Sequence, residues 1–499
     1  MNIRQAKEEI KNTVKAYLRK DEQGNYRISA IHQRPVLLTG PPGIGKTAIV
    51  KQISQELEIG LVAYTMTHHT RQSAVGLPVV VKRQYQGQEY TVTEYTMSEI
   101  ISSIYECMES SGCREGILFI DEINCVSETL GPTMLQFLQN KTFGMHKVPA
   151  GWIIVAAGNP REYNKSAREF DIVTLDRVRR MDVKEDYEVW KEYAYMHGIH
   201  PAILSWLNMH PDRFYHVEST AEEKLFVTAR GWEDLSVLLC NYEEMGIENL
   251  DGVVSEYIQE PETARDFGGY YRLYKKYRQD YDILKILDGS METDRRKKLA
   301  ELAGRAAADE RLAVAGMILD GWNMLFSQYR EMNEKIQGLN KSLEEWKKAQ
   351  ENLEDWMRSK EKTMEIKRES GLISDDEKRR EETIQHTLRE YYQKIKEKRC
   401  SDPEEAADLF RRFLEAETEQ SRICADKVQQ ALDHGFAFAE ESFGDGIEVS
   451  LLTSDLLQNP SAAEFISRYG CERFFVHSDA LLLERRRREI LQEVENMDL

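Results

Sequence analysis

The stretch that most constrains this chain runs from Arg34 to Thr47, RPVLLTGPPGIGKT. A short apolar run, Pro35–Leu38, leads into a match to G-x-x-x-x-G-K-[ST], and a helix-compatible segment follows it. Glycines allow the backbone to fold around an anion, and the N–H groups at the start of the next helix point at that anion. The stretch therefore predicts a phosphate-binding loop between a buried strand and a helix.

The loop residues have distinct predicted roles. Lys46 would reach the β- and γ-phosphates of a nucleotide, and the Thr47 hydroxyl would hold Mg²⁺. An ordinary glycine-rich turn is the alternative, and the strand and helix on either side disfavour it. The predicted nucleotide-binding residues are Gly40, Pro41, Pro42, Gly43, Ile44, Gly45, Lys46, Thr47 and Ala48.

A second motif, Gly116–Glu122, places two carboxylates at the end of an apolar run. Asp121 would bind Mg²⁺ through its water shell, and Glu122 would orient and polarise the attacking water. Either acidic residue alone says little. The pair at a strand end, downstream of the phosphate-binding loop, predicts a Walker B motif.

A third motif follows the apolar run Trp152–Ala157, which ends in Gly158-Asn159-Pro160. Asn159 at the tip of a core strand could contact both the γ-phosphate and the attacking water, although an Asn-Pro turn could also simply end a strand. Alternating strands and helices predict an α/β fold with a parallel sheet, in which ligands bind beyond the carboxyl ends of the strands. All three motifs lie at such ends.

Other segments predict the surroundings of this sheet. Residues 2–19 have the spacing of an amphipathic helix. Val79–Val81 and Tyr90–Val92 flank Gln86-Gly87-Gln88, which predicts a hairpin that is either functional or a plain surface insertion. Lys141–Val148 predicts a second hairpin.

Composition excludes several classes of protein. At 499 residues the chain is too long for one core, so two or three domains are expected. A formal net charge of −19 makes nucleic acid an unlikely partner. No apolar run is long enough for a membrane span, and the N-terminus lacks the apolar region of a signal peptide. The 7 cysteines are scattered without a C-x-x-C pair, which indicates reduced thiols and a cytoplasmic protein.

Three segments together resemble the core of AAA+ ATPases, with the MoxR-type branch the nearest. They are GPPGIGKT at 40–47, ILFIDEIN at 117–124 and VAAGNP at 155–160. The step at Gly76-Leu77-Pro78, with the hairpin after it, resembles that branch's insertion near the second helix, and Lys141–Val148 resembles its hairpin before sensor 1. The resemblance covers about residues 1–285. It implies ATP and Mg²⁺ as cofactors and Asn159 as sensor 1.

The resemblance also implies roles for two arginines. Leu175-Asp176-Arg177 matches the step whose arginine enters the neighbouring subunit's site as a finger. Val178 stands where the family usually has an aromatic residue, so Arg179 and Arg180 remain alternatives. Thr228–Trp232 resembles the sensor 2 step of the lid, with Ala229 where proline is usual, and Arg230 would sense the nucleotide.

Members of this branch are generally hexameric ring chaperones. The resemblance therefore implies a homo-hexamer or other ring and a protein client, and it makes a protein with a von Willebrand factor A domain a candidate partner. A trans arginine accelerates phosphoryl transfer by roughly 10³–10⁵, so an isolated subunit should be a poor ATPase. The alternatives are a nucleotide-gated binding scaffold and a nucleic-acid motor. The client, the ring size and the choice of ATP over GTP stay open.

The predicted division is an AAA+ domain at 1–184, a helical lid at 185–288 and a helical domain at 289–499. From Leu325 to Met357 apolar residues alternate steps of four and three, which predicts a coiled-coil helix. Gly371 breaks this rhythm, and Ser374 begins a capping box for a return helix. The expected structure is an antiparallel coiled-coil hairpin at about 325–398, roughly 50 Å long, with its direction and role open.

Two further expectations concern the helical half. The tyrosines from Tyr270 to Tyr281, at steps of three or four, favour a helix packing face over base stacking. Residues 404–434 and 461–495 predict helices joined by a loop at 444–446. Arg485–Arg488 lies in the second of these and is interpreted as a solvated helix face.

Overall fold

The computed structural model describes residues 1–66, 76–126, 130–143, 146–164, 166–219, 224–247, 252–349, 351–369, 371–398 and 403–479. The chain divides into two compact units. The first unit comprises Met1–Val189, Val217–Lys224 and Met357–Arg379, and the second comprises Trp190–His216, Leu225–Trp356 and Arg380–Leu499. The three-part division at residues 184 and 288 stays a prediction.

Some of the described strands form a central parallel sheet. In chain order they are β1 (Val36–Thr39), β2 (Gly60–Thr65), β3 (Pro78–Tyr85), β4 (Gln88–Tyr95), β5 (Gly116–Asp121), β6 (Thr142–Phe143), β7 (His146–Lys147), β8 (Trp152–Gly158), β9 (Arg179–Asp182), β10 (His216–Ser219) and β11 (Lys224–Val227). Five of them form one sheet in the order β2-β5-β8-β1-β9, with every pairing parallel. This confirms the predicted α/β fold class.

Burial explains why the central strands are so apolar. Every residue of β8 is buried, and so is every residue of β5 except Asp121. A strand that is covered on both faces has no side chains facing solvent, so polar residues are not needed along it. One face of the sheet packs Leu118 and Ile154 against Ile101 and Phe137, which belong to helices.

The helices of the first unit follow the predicted order. The N-terminal helix begins after Asn2, which forms a capping box with Gln5. In chain order the α-helices among the described residues up to 175 are Ile3–Tyr17, Lys46–Glu56, Glu99–Ser111, Gly131–Asn140 and Ile172–Leu175.

Both predicted hairpins are present. β3 and β4 pair with Val81 opposite Val92. Gln86 and Gly87 between them have φ of 51° and 82°, as a tight two-residue hairpin turn requires. Most residues of these two strands are exposed. β6 and β7 form the second hairpin, and its turn at 144–145 lies outside the described residues.

Beyond residue 186 the described chain is mostly helical, as predicted, with β10 and β11 as a separate two-stranded sheet. Trp206, Trp232 and Phe267 pack together, with ring centroids 5.3–5.6 Å apart. The α-helices are Tyr187–Met196, Pro201–Met209, Ala229–Glu244, Val253–Tyr257, Pro261–Tyr281, Ile283–Leu287, Thr293–Arg305, Ala308–Ala349, Leu353–Glu369, Asp375–Glu397, Pro403–Phe443, Ile447–Gln458 and Pro460–Tyr469.

The tyrosine face predicted in the helix Pro261–Tyr281 is confirmed as a packing face. Tyr270, Tyr271, Tyr274 and Tyr281 are all buried. Among the residues that the structure describes, no helix has the length and apolar character needed to cross a membrane.

The predicted continuous helix from Leu325 through Met357 is corrected. One helix ends at Ala349 and the next begins at Leu353. Asn352 starts the new helix, because its Oδ1 accepts a hydrogen bond from the Glu354 N–H at 3.1 Å. A heptad pattern can continue across such a break, so spacing alone did not show it.

The predicted antiparallel pairing holds for Leu353–Glu369 and Asp375–Glu397, where the Tyr392 hydroxyl donates to Glu354, but not for Ala308–Ala349 and Asp375–Glu397. Arg380 pairs with Glu334 at 3.4 Å, and an added Cβ at Gly338 would lie 2.2 Å from Ile384. From the first contact to the second, the residue number rises by four in both helices, so Ala308–Ala349 and Asp375–Glu397 run parallel. The antiparallel neighbour of Ala308–Ala349 is Pro403–Phe443, where Lys335 meets Glu417 at 2.9 Å and Trp322 Nε1 donates to the Ala431 carbonyl at 2.8 Å.

The predicted helix at 461–495 is interrupted at Gly470 in the part of it that the structure describes, which ends at residue 479. The helix Pro460–Tyr469 ends at Gly470, which has a φ of 78° that only glycine adopts readily. A further helical segment covers 472–479. Arg485–Arg488 lies outside the described residues.

Candidate nucleotide-binding site

The loop between β1 and the helix Lys46–Glu56 has the backbone that its glycines predict. Gly43 and Gly45 have φ of 74° and 92°, a left-handed conformation that residues with a Cβ rarely adopt. At Gly40 an added Cβ would lie 2.5 Å from the carbonyl oxygen of Val183. Two glycines are therefore required by torsion angle and one by a close backbone neighbour.

Lys46 is buried within this loop, with 8% of its surface exposed. Its Nζ donates hydrogen bonds to the carbonyl oxygens of Gly40 at 2.9 Å and Pro41 at 2.7 Å, and to Oδ1 of Asn159 at 2.8 Å. Asn159 comes this close because β1 and β8 are neighbours in the sheet, with Thr39 opposite Gly158. The structure thus brings the third sequence motif to the first.

The structure also brings Thr47 and Asp121 together. The Thr47 hydroxyl donates a hydrogen bond to Oδ2 of Asp121 at 2.9 Å. Mg²⁺ prefers oxygen ligands and is usually held by one or two carboxylates together with water and substrate phosphates. Among the described residues no group of three or more His, Cys, Asp or Glu could hold a metal by itself. The Thr47 hydroxyl and the Asp121 carboxylate are oxygen donors of the kind that Mg²⁺ uses together with water and phosphate.

Glu122 has a backbone conformation that the motif did not reveal. Its φ is +54°, although it is not a glycine, and its N–H donates to Oδ1 of Asp121 at 2.9 Å. A backbone of this kind costs about 1–3 kcal/mol and is common at functional sites. The bend turns the chain immediately at the end of β5, beside the carboxylate that faces Thr47.

The three arginines after the short helix Ile172–Leu175 have different surroundings. Arg177 is exposed. The Arg179 guanidinium is hydrogen-bonded to Glu9 and Thr13 of the N-terminal helix. Arg180 Nε donates to Asp182 at 2.8 Å. Arg179 and Arg180 therefore each have an acidic partner in their own unit, in pairs that lie at the surface.

Arg230 belongs to the second unit. It is exposed at the start of the helix Ala229–Glu244, where the Thr228 hydroxyl caps the helix by accepting from the Gly231 N–H at 3.1 Å. Its role as sensor 2 stays a prediction.

Sequence reasoning did not identify Asn124 as a site residue. Its buried side chain donates to the Asn159 carbonyl at 2.7 Å. The only signal was its place directly after the Walker B residues, since an asparagine there carries no distinctive spacing.

A cavity of about 650 Å³ opens beside the loop, lined by Gly40, Pro41, Gly158 and Arg180 among other residues. Its volume lies in the range of pockets that bind small molecules. Lys46, Thr47 and Asp121 do not line it, so it adjoins the phosphate position on the side of β9.

Comparison with known families agrees with this geometry. Residues 35–178 match the family model of the AAA domain, dynein-related subfamily. The match includes the phosphate-binding loop, both Walker B carboxylates, Asn159 and Arg177. This part of the chain is an AAA-type P-loop ATPase domain, a class that binds nucleotide, typically with Mg²⁺. No curated protein matches the chain.

Proposed function

We propose that the chain is a MoxR-type AAA+ ATPase that couples ATP hydrolysis to the remodelling or maturation of a protein client. One observation carries the proposal. At a single edge of the sheet, Lys46 meets Asn159 at 2.8 Å and Thr47 meets Asp121 at 2.9 Å, with Glu122 next in the chain. Phosphoryl transfer needs a cation for the phosphates, oxygen ligands for a metal and a group that orients water.

Each side chain then has one task. Lys46 binds the β- and γ-phosphates, which replace the neutral oxygens that now accept its hydrogen bonds. Thr47 and Asp121 would hold Mg²⁺, which would supply positive charge next to the phosphate oxygens. Glu122 orients the attacking water and polarises it, and Asn159 holds the water and the γ-phosphate in line.

A ring assembly supplies the remaining charge. We assign the finger to Arg177, which is exposed, because Arg179 is held by Glu9 and Thr13 and Arg180 by Asp182. An arginine from a neighbouring subunit would stabilise the transition state. The proposed assembly is a homo-hexamer or a ring of another size, with Arg230 sensing the nucleotide.

The finer parts of the proposal rest on the family resemblance. The two hairpins, β3–β4 and β6–β7, lie in the chain where the MoxR branch has its insertions. A protein client, and a partner with a von Willebrand factor A domain, follow from that resemblance. The scattered cysteines support a cytoplasmic location, and the net charge of −19 argues against nucleic acid.

The test is ATP turnover per subunit across a range of protein concentrations. Turnover should rise with concentration, and Glu122→Gln and Arg177→Ala should each abolish nearly all of it. Mixing the two variants should restore part of it, because a mixed ring contains sites with an intact Glu122 next to an intact Arg177.

Arg180→Ala is the matched control, since Arg180 is anchored on Asp182 and should be dispensable. If ATP binds but no turnover occurs at any concentration, hydrolysis is refuted and a nucleotide-gated scaffold explains the site better. If turnover is independent of concentration and survives Arg177→Ala, the shared-site ring is refuted.

A further inference from the structure

We infer that Asn124 is a positioning residue for ATP hydrolysis, because it fixes Asn159 and joins it to the turn that carries Glu122. This inference rests on the proposed function. Unlike Lys46 and Thr47, Asn124 is not proposed to contact the phosphates or Mg²⁺. It acts through the backbone of Asn159, whose side chain accepts the hydrogen bond from Lys46.

The Asn124 side chain is buried, with 7% of its surface exposed, and both ends of its amide are engaged. Nδ2 donates to the carbonyl oxygen of Asn159 at 2.7 Å. Oδ1 lies 3.9 Å from the Cys125 thiol sulfur, which donates to it. The hydrogen bond to Asn159 is the strong one, since a thiol is a weak donor, and breaking it would leave a buried polar group without compensation.

Gly158 shows that the contact depends on shape as well as hydrogen bonding. An added Cβ at Gly158 would lie 2.6 Å from Oδ1 of Asn124, closer than real Cβ atoms approach an oxygen. The φ of Gly158 is not in the left-handed region. The glycine is therefore required by the close approach of the Asn124 amide, and the two residues fit each other as a pair.

The turn after β5 is tied to the segment after β8 at several points. The Ile123 N–H donates to the Ala157 carbonyl at 3.0 Å, and the Arg168 N–H donates to the Asn124 carbonyl at 2.9 Å. Asn164 Nδ2 donates to the Cys125 sulfur at 3.2 Å. The Cys125 N–H closes the turn on the Glu122 carbonyl at 2.9 Å.

These bonds join Glu122 and Asn159 through one short, buried connection. Both residues must address the same water molecule in the proposed reaction, so their separation has to be held closely. A displacement of about 1 Å at such a site can cost on the order of 100-fold in rate. Asn124 is the side chain that sets this separation.

Two substitutions test the inference. Asn124→Ala removes the amide, and Asn124→Asp keeps its shape but replaces the donor with an oxygen that repels the Asn159 carbonyl. Each should lower kcat by about 10- to 100-fold. The dissociation constant of a fluorescent, slowly hydrolysed ATP analogue with Mg²⁺ should change by less than about threefold, since Lys46 and Thr47 are untouched.

A double-mutant cycle separates positioning from general stability. If Asn124 acts through Asn159, then Asn124→Ala should add almost nothing to the kcat loss of Asn159→Ala. Ser54→Ala is the matched control, because it removes another buried hydrogen bond of the first unit, from Ser54 Oγ to the Ile59 carbonyl at 2.7 Å. It should lower Tm in a similar way and leave kcat unchanged.

The outcomes are distinguishable. If Glu122→Gln abolishes turnover but the Asn124 variants retain wild-type kcat, the inference is wrong and the proposed function stands. Additive losses in the cycle, or an equal kcat loss in Ser54→Ala, would reduce Asn124 to a structural residue. If the wild-type protein shows no turnover at all, the proposed function and this inference fail together.

Discussion

Two buried lysines, one in each unit, show how differently the units use charge. Lys46 of the first unit is 8% exposed and makes three hydrogen bonds to neutral oxygens of Gly40, Pro41 and Asn159. Lys191 of the second unit is 4% exposed and forms an ion pair with Asp455, which is also buried.

The environment of Asp455 completes the contrast. Besides Lys191 it accepts hydrogen bonds from the Tyr195 hydroxyl at 3.0 Å and from Asn208 Nδ2 at 2.7 Å. A buried cation with a buried, fully bonded carboxylate is satisfied within the fold and has nothing left to offer a ligand. A buried cation whose bonds go to neutral oxygens gains when a phosphate takes their place. The comparison teaches that the partner, more than burial, distinguishes a binding lysine from a structural one.

The largest expected effect, the loss of activity, comes from Lys46→Met. Removing this ammonium should weaken binding of an ATP analogue at least 100-fold, about 2.7 kcal/mol, and abolish turnover. Tm without nucleotide should fall less than in Lys191→Met, because the three hydrogen bonds that are lost end on neutral oxygens. Isothermal titration calorimetry and thermal melting measure the two quantities on the same samples.

Lys51→Met is the matched control, since Lys51 is an exposed lysine on the same helix. Its affinity for the analogue should equal that of the wild type. A large drop in Tm for Lys46→Met with preserved nucleotide affinity would reverse the assignment and make Lys46 the structural lysine.

The candidate site of the first unit was largely predictable because its residues lie in short, contiguous sequence segments. The phosphate-binding loop, the carboxylates after β5 and Asn159 after β8 each lie at a strand end. A parallel sheet brings such ends to one edge. The left-handed φ of Glu122 and the contact between Asn124 and Gly158 were not predictable, because both depend on how two loops meet in space.

The second unit was predictable only as a set of helices. Apolar periodicity gives helices, but it does not say where the chain turns or which helices become neighbours. Asn352, an ordinary helix-capping residue, marks the break that the heptad spacing passed over. Lys191 and Asp455 are 264 residues apart in the sequence, so no local pattern could have paired them.

The second prediction concerns stability and tests the comparison at the structural lysine, Lys191. Lys191→Met should destabilise the protein by about 3–5 kcal/mol, because it leaves the Asp455 charge buried without its cation. Affinity for an ATP analogue should be unchanged at temperatures where the variant is folded. Urea denaturation, followed by circular dichroism, measures the loss.

Two further variants make this result specific. Adding Asp455→Asn to Lys191→Met should recover part of the stability, because the unpaired charge is gone while an acceptor remains for Tyr195 and Asn208. Lys335→Met breaks a more exposed pair with Glu417, 24% and 25% exposed, and should cost about 0–1 kcal/mol. Equal losses at Lys191 and Lys335 would show that burial of the pair is not the cause.

The smallest effect concerns a carboxylate of the second unit, and it is present at neutral pH and lost in acid. Glu243 accepts hydrogen bonds from the Tyr271 hydroxyl at 2.9 Å and from Arg278 at 3.1 Å, and lies 3.3 Å from His200 Nε2. The hydrogen bond from His200 is the main cause that lowers the pKa of Glu243 to about 2, against the opposing effect of burial. The carboxylate is thus a structural anion, as Lys191 is a structural cation.

The sign of the pH dependence follows from linkage. A carboxyl whose pKa is lower in the folded state stabilises the fold above its unfolded pKa, near 4.5, and this contribution is lost as the pH falls towards 2. At 1.36 kcal/mol per pKa unit, a shift from 4.5 to about 2 corresponds to at most about 3–4 kcal/mol, and solvent screening makes the contribution smaller. Glu243→Gln should therefore be less stable than the wild type at pH 7, and the difference should narrow steadily between pH 4.5 and 2.5.

Glu244→Gln, a change at the exposed neighbour, should follow the wild-type profile throughout. If the gap between Glu243→Gln and the wild type stayed constant down to pH 2.5, the loss would come from packing, and Glu243 would not be a counterpart of Lys191 in a charge-satisfied unit.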